Sequence, residues 1–200
     1  MANDNKLSIG FFRWLRFPVR LIRRISNWVR FFRLASVGDG LVIGKDSVII
    51  GAQYIHIGSN FWAGNRLRIE AYDRYRDNHY SPCIRIGNDV SINYDCHIGA
   101  IGLIEIGDNV LIASKVYISD HTHGDVDIES LRQAPKLRPL VSKGSVIIEE
   151  NVWIGEGVAI LPNVRIGRNS VIGANAVVTK DIPPFSVAVG IPAKVIKTVG

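Results

Sequence analysis

From Ile148 to Val178 an aliphatic residue returns at every sixth position: Ile148, Ile154, Ile160, Ile166, Ile172 and Val178. An α-helix repeats its faces every 3.6 residues and a strand every two, so a strict period of six fits neither as a continuous element. It fits a unit made of one short strand and one turn. The fourth place after each aliphatic is small or branched (Val152, Val158, Val164, Ser170, Ala176), and glycine follows at Gly155, Gly167 and Gly173. A unit this small cannot bury its own apolar side, so successive units must stack, and the expected fold is an all-β repeat architecture.

With 200 residues, 47% of them hydrophobic, the chain suits one continuous core rather than a disordered state. The formal charge of +6 is unevenly distributed. Residues 1–35 hold eight basic side chains (Lys6, Arg13, Arg16, Arg20, Arg23, Arg24, Arg30, Arg33) against Asp4, whereas the rest carries 16 basic and 17 acidic residues. The body is close to neutral, which argues against nucleic-acid binding. Cys83 and Cys96 are too few for a disulfide framework, no Cys/His spacing fits a zinc site, and a cytoplasmic location is expected. Arginines interrupt every apolar run between Arg13 and Arg33, so neither a signal peptide nor a membrane-spanning helix is expected there.

Along the chain, residues 1–36 form a basic segment. Within it, 11–35 reads as amphipathic helix broken near Pro18. Such a helix suits either a cap over the end of the stack or contact with an anionic membrane surface at the inner face of the cytoplasmic membrane. The repeat domain is expected over 37–182. It starts loosely at Ile43, Ile50 and Ile57, is interrupted by the tyrosine-rich Ala71–Pro82, and resumes at Ile86, Ile92, Ile98 and Ile104. After a reset of two residues it continues at Ile106, Ile112 and Ile118. The next in-register aliphatic is Ile148, because Gly124, Ser130, Lys136 and Ser142 cannot fill a core. A loop over 124–147 therefore leaves the stack, and long loops on repeat scaffolds usually carry function. A proline-containing tail, 183–200, ends the chain.

The segments NVWIGEGVAILPNVRIGRNSVIGANAVVTKDIPP (Asn151 to Pro184), VGIPAKVIK (Val189 to Lys197) and NVLIASKVYISDHTHG (Asn109 to Gly124) resemble the hexapeptide-repeat acyltransferases. Among these they are most similar to the O-acetyltransferases of lipopolysaccharide O-antigen and capsular sugars, over roughly residues 84–198. The resemblance implies a left-handed parallel β-helix, a homotrimer with active sites between adjacent subunits, and acetyl-CoA as co-substrate with no metal. The left hand departs from the usual right-handed crossover rule.

A sugar hydroxyl is a poor nucleophile until its proton leaves, so transfer of an acetyl group from a thioester needs a base working near neutral pH, and histidine suits that task. His121 and His123 lie in Ser119-Asp120-His121-Thr122-His123-Gly124, where the loop departs, and an i, i+2 pair shares one face of a strand. By the resemblance, which puts the base at the close of the hexad, His123 is the general base. His121 assists or contacts substrate, and Asp120 orients an imidazole. His56, His79 and His97 read as ordinary surface or turn histidines. The resemblance further implies that Asn93, with Tyr94 beside it, contacts the acceptor sugar and that Trp153 lines the donor channel and serves as a catalytic partner. Coenzyme A would be bound by Ala174, Thr179, Lys180, Lys194 and Lys197, with Glu156 alongside through its backbone. Lys194 and Lys197 stand where the family often has arginine. The oxyanion donor is left between the Ala113-Ser114 turn and Ser142 to Ser145. Tyr72, Tyr75 and Tyr80, with Arg74 and Arg76, read as a solvated loop.

Three rival functions are compatible with the hexads. One is N-acetylation of an amino-sugar nucleotide. Another is a gamma-class carbonic anhydrase, which needs a third well-placed histidine. The last is a catalytically silent β-helical scaffold, against which the histidine pair, the tryptophan and the terminal lysines argue.

Overall fold

The structure, a computed structural model, describes residues 33–199. The amphipathic helix expected over 11–35 lies almost wholly outside the described residues. The chain is a left-handed parallel β-helix whose three sheets form the sides of a prism. Each turn of the chain visits the sheets in the same order. The first sheet stacks Ser36–Val37, Ile55–Ile57, Cys83–Ile86, Leu103–Ile106, Val146–Ile148 and Val164–Ile166. The second stacks Val42–Ile43, Trp62–Ala63, Ser91–Ile92, Leu111–Ile112, Trp153–Ile154, Val171–Ile172 and Ser186–Val189. It ends on the antiparallel strand Lys194–Thr198. The third holds Val48–Ile50, Arg68–Ala71, His97–Ala100, Tyr117–Ser119, Ala159–Ile160 and Val177–Val178.

The register explains the period. Ile148 pairs with Ile166, Ile154 with Ile172 and Ile160 with Val178, so three hexads make one coil. Each hexad aliphatic and the residue two before it point inward, and Val152, Ile154, Val158, Ile160, Val164 and Ile166 are all buried. Burying each such side chain contributes about 1.5–3 kcal/mol, which offsets the entropy of ordering strands only two to four residues long. The corners are turned by one left-handed residue per hexad, most often asparagine: Asn60, Asn109, Asn151, Asn163, Asn169 and Asn175 have φ between 58° and 61°. Asparagine tolerates that region better than most side chains.

The breaks in the period become two excursions and two widened corners, one at Ala52–Tyr54 and one at Ile101–Gly102. Ile86 pairs with Ile106 rather than with a residue 18 further on, because Ile101 and Gly102 add two residues between the third and first sheets. The Ala71–Pro82 interruption is a two-stranded ribbon, Arg74–Tyr75 against Asn78–His79. The larger excursion has a stem of His121–His123 antiparallel to Leu140–Ser142 and carries the short helix Ile128–Arg132. It returns to the first sheet at Val146, so the segment 124–147 contains the returning stem strand and the start of the next coil.

Candidate active site

Asp120 follows directly on Tyr117–Ser119 of the third sheet, at the point where the larger excursion begins. Its side chain is 0% exposed. One carboxylate oxygen accepts from the Ile101 N–H at 3.0 Å and lies 2.9 Å from His121 Nδ1; the other accepts from the Gly102 N–H at 2.7 Å. The widened corner at Ile101–Gly102 frees two backbone N–H groups from the regular ladder, and a buried donor without a partner costs about 1–3 kcal/mol. Asp120 supplies both partners and keeps one oxygen for the imidazole. His121 therefore carries its proton on Nδ1 and leaves Nε2 as an acceptor, the arrangement that lets an imidazole take up a proton. The orienting carboxylate belongs to His121, not to His123. The His121 side chain is 12% exposed, and its backbone N–H donates to Ser119 Oγ at 3.2 Å.

His123 stands two residues further along the same stem and is exposed. Its ring meets Tyr75 edge to face with centroids 5.4 Å apart. Tyr75 in turn donates from its hydroxyl to the Lys136 carbonyl at 3.0 Å. The Tyr80 hydroxyl accepts from the Leu140 N–H at 2.9 Å and donates to the Leu140 carbonyl at 3.1 Å. Tyr75 and Tyr80 are thus not solvated loop residues. They brace the smaller excursion against the stem that carries both histidines, and the two excursions act as one bracket.

His97 also departs from the sequence reading. It lies on the third sheet, one coil below Tyr117, with the two rings 5.4 Å apart, and its Nε2 is 2.9 Å from Glu70 Oε2. Glu70 is 5% exposed and also accepts from the Arg68 guanidinium at 3.0 and 3.1 Å. Burial alone pushes the Glu70 carboxyl up, but the Arg68 and Tyr72 donors and the nearby His97 outweigh it, and the net displacement is downward. Burial and the Arg68 charge push His97 down, against the attraction of Glu70. Two imidazole–carboxylate pairs therefore meet above Gly99, which has no side chain to separate them. A Cβ there would lie 3.4 Å from both His121 Cε1 and His97 Nε2. One signal for this was visible in the sequence: Glu70 follows the hexad residue Ile69 where Gly58, Gly87, Gly99 and Gly107 occupy the same place.

The remaining candidates occupy other parts of the prism. Thr179 and Lys180 share an edge with Asp120, because Val178 stacks on Ile160 and Ile160 on Ile118. Asn93, Tyr94, Glu156 and Ala174 line the edge between the second and third sheets. There the Glu156 carbonyl accepts from the Asn175 N–H at 2.7 Å, its carboxylate pairs with Lys115 at 3.3 Å, and Gly155 is required because a Cβ would come within 2.6 Å of Ala174 N. Trp153 projects from the second sheet, in register with Leu111 and Val171, and is 52% exposed. Lys194 and Lys197 are exposed on the last strand, opposite Val189 and Val187. Within one chain the histidines and Trp153 thus sit on different sides of the prism. Among the described residues no group of three or more His, Cys, Asp or Glu is arranged to hold a metal ion, and no helix is long and apolar enough to cross a membrane.

A family model described as bacterial transferase hexapeptide (six repeats) matches residues 145–180. The Escherichia coli K12 protein named as the lipopolysaccharide biosynthesis O-acetyl transferase WbbJ is 38% identical over 146 residues, 72% of this chain and 71% of its own length. The galactoside O-acetyltransferase of Escherichia coli K12 is 36% identical over 157 residues, covering 78% of this chain and 70% of that protein. A solved structure of galactoside acetyltransferase in complex with coenzyme A aligns with a TM-score of 0.56 at 32% identity, over 87% of this chain and 70% of that one.

Proposed function

The chain belongs to the hexapeptide-repeat acetyltransferases, and from that premise we propose that it transfers an acetyl group from acetyl-CoA to a hydroxyl of a sugar in a surface polysaccharide or its lipid-linked precursor. The observation that carries this reading is the braced stem: His121 and His123 side by side where the chain leaves the coil, one clamped by Asp120 and the other open to solvent against Tyr75. His123 is the general base because it is the more exposed histidine of the stem. Its imidazole takes the hydroxyl proton as the oxygen attacks the thioester carbonyl carbon. When the carbon–sulfur bond breaks, the thiolate of coenzyme A receives that proton. His121, held by Asp120, lines the same face.

Trp153 and the lysines Lys180, Lys194 and Lys197 fit the donor side of this reaction. An exposed tryptophan offers a flat apolar wall for a pantetheine arm, and lysine serves phosphate as a point charge. None of the three lysines is in an ion pair among the described residues. Glu156, Ala174 and Thr179 contribute backbone along the coil edges, and Asn93 and Tyr94 belong to the acceptor side. Since one chain leaves Trp153 and His123 on different sides, the complete site is assembled between neighbouring subunits of a homotrimer. An acceptor still attached to a lipid carrier would be met at the inner face of the cytoplasmic membrane through residues 11–35.

The test is thiol release from acetyl-CoA in the presence of galactosides and O-antigen oligosaccharides. In His123→Ala the turnover number falls on the order of 10²–10⁴-fold with an unchanged melting temperature. Full activity in that variant removes the base assignment. Turnover confined to amino-sugar nucleotides, with no response to hydroxyl acceptors, removes O-transfer.

A further inference from the structure

We propose that His97 is a further residue of the acceptor site: held by Glu70 through Nε2, it offers Nδ1 as a hydrogen-bond acceptor to a second hydroxyl of the sugar, beside the Nε2 of His121. The inference rests on the sugar O-acetyltransferase reading above and deepens it by assigning recognition of the acceptor to a pair of imidazoles away from the base. Glu70 receives the Arg68 guanidinium on both oxygens and is ionised, so it can only accept, and His97 Nε2 must be the donor. That fixes the tautomer and leaves Nδ1 with a lone pair. Every buried side-chain nitrogen and oxygen among the described residues has a partner, and His97 Nδ1 has none among them, so it faces solvent. The same holds for His121 Nε2, whose opposite nitrogen is taken by Asp120.

The two rings converge over Gly99, each with an atom 3.4 Å from the point where a Cβ would stand. On the third sheet the place after the hexad residue otherwise carries a side chain, as at Ile50, Glu70 and Ser119, and because Gly99 has none the two rings close over it. Tyr117 forms the wall above His97 and the His121–His123 stem closes the side toward the base. Two oriented acceptors beside the exposed Tyr117 ring suit a sugar bearing several hydroxyl donors. An anion would find two lone pairs and a neutralised Arg68 there. A site built to accept from particular hydroxyls discriminates strongly, because an analogue lacking one leaves a desolvated nitrogen without a partner.

Two substitutions separate recognition from mere support of Glu70. His97→Gln puts an amide near the Nε2 position, where it still meets Glu70, and loses the Nδ1 acceptor. His97→Asn keeps a polar atom near the Nδ1 position and gives up Glu70. Steady-state kinetics of the full chain with acetyl-CoA and a panel of p-nitrophenyl glycosides, including deoxy analogues of the galactoside, reads out both. The inference expects His97→Gln to raise the KM for the glycoside about tenfold with an unchanged KM for acetyl-CoA and an unchanged melting temperature. It also expects that penalty to vanish for one deoxy analogue, and His97→Asn to recover most of the affinity. Wild-type glycoside KM in His97→Gln overturns the inference while leaving the O-acetyltransferase reading intact. So does equal impairment of both variants together with a lowered melting temperature, which would mean a structural role only. A wild-type enzyme that transfers to no glycoside of the panel overturns the inference and the reading beneath it.

Discussion

Replacing Asp120 by asparagine removes one negative charge and almost no volume, so its effect isolates what the carboxylate does. Three donors converge on the two oxygens: Ile101 N–H at 3.0 Å and His121 Nδ1 at 2.9 Å on one, and Gly102 N–H at 2.7 Å on the other. An asparagine has one carbonyl oxygen. In its better orientation it serves Ile101 and His121 and turns its NH₂ toward the Gly102 N–H, leaving a donor facing a donor. An unsatisfied buried N–H costs about 1–3 kcal/mol, and the two surviving bonds lose charge assistance worth about 1 kcal/mol each. The expected destabilisation is about 3–5 kcal/mol, a fall in melting temperature on the order of 10 °C for a domain of this size. Differential scanning calorimetry at neutral pH measures it. Transfer activity should fall as well, because the neutral amide holds the His121 imidazole more weakly than the carboxylate does. A variant with the wild-type melting temperature and activity would refute the view that Asp120 ties the widened corner to the stem.

Three other outcomes follow from the same structure. Ser170 is buried where most hexads place a valine or another small apolar residue; its Oγ donates to the Pro183 carbonyl at 2.9 Å and accepts from the Ser186 N–H at 3.1 Å. Ser170→Val, though it restores the hexad pattern, should destabilise by about 1–3 kcal/mol in a denaturant titration, since it leaves the Ser186 N–H unpartnered. Lys115 turns a corner at φ 60° where six other hexads use asparagine, so Lys115→Asn should stabilise by up to about 1 kcal/mol despite losing the exposed pair with Glu156, and an unchanged or lower melting temperature would contradict the corner argument. His97 is pushed down by burial, so below its ordinary value of about 6.5 the unfolded chain binds a proton that the folded chain does not, and stability present above that pH is lost on acidification. Glu70, lowered overall, adds a loss in the same direction as pH falls through its folded value. Melting curves from pH 8 to 5 should therefore slope downward toward acid, and His97→Gln should flatten the upper part of that slope; an identical slope in the variant would rule out His97 as its source.

The stacked prism was legible because the hexad encodes it locally. Ile148, Ile154 and Ile160 each bring their own strand, corner and inward direction, and repeating the unit leaves little for distant residues to decide. The excursions were legible as gaps in that pattern, which pointed to the His121–His123 stem. What the gaps contain was not. The ribbon between Ala71 and Pro82 read as solvated because nothing in its composition shows that Tyr75 and Tyr80 reach Lys136 and Leu140, some 60 residues away.

By itself, then, the sequence determined the stacked coil and the point where His121 and His123 leave it, since burial of an aliphatic every sixth residue is a local requirement that each hexad meets alone. Only the tertiary structure decided which charge meets which imidazole. Asp120 goes to His121 because two inserted residues at Ile101 and Gly102 turn their N–H groups toward it, and Glu70 goes to His97 because the Ala71–Pro82 insertion makes one coil 29 residues long and sets Arg68 opposite His97. Those pairings depend on how successive coils stack across insertions, and a one-dimensional period carries no information about what lies one coil above or below an interruption.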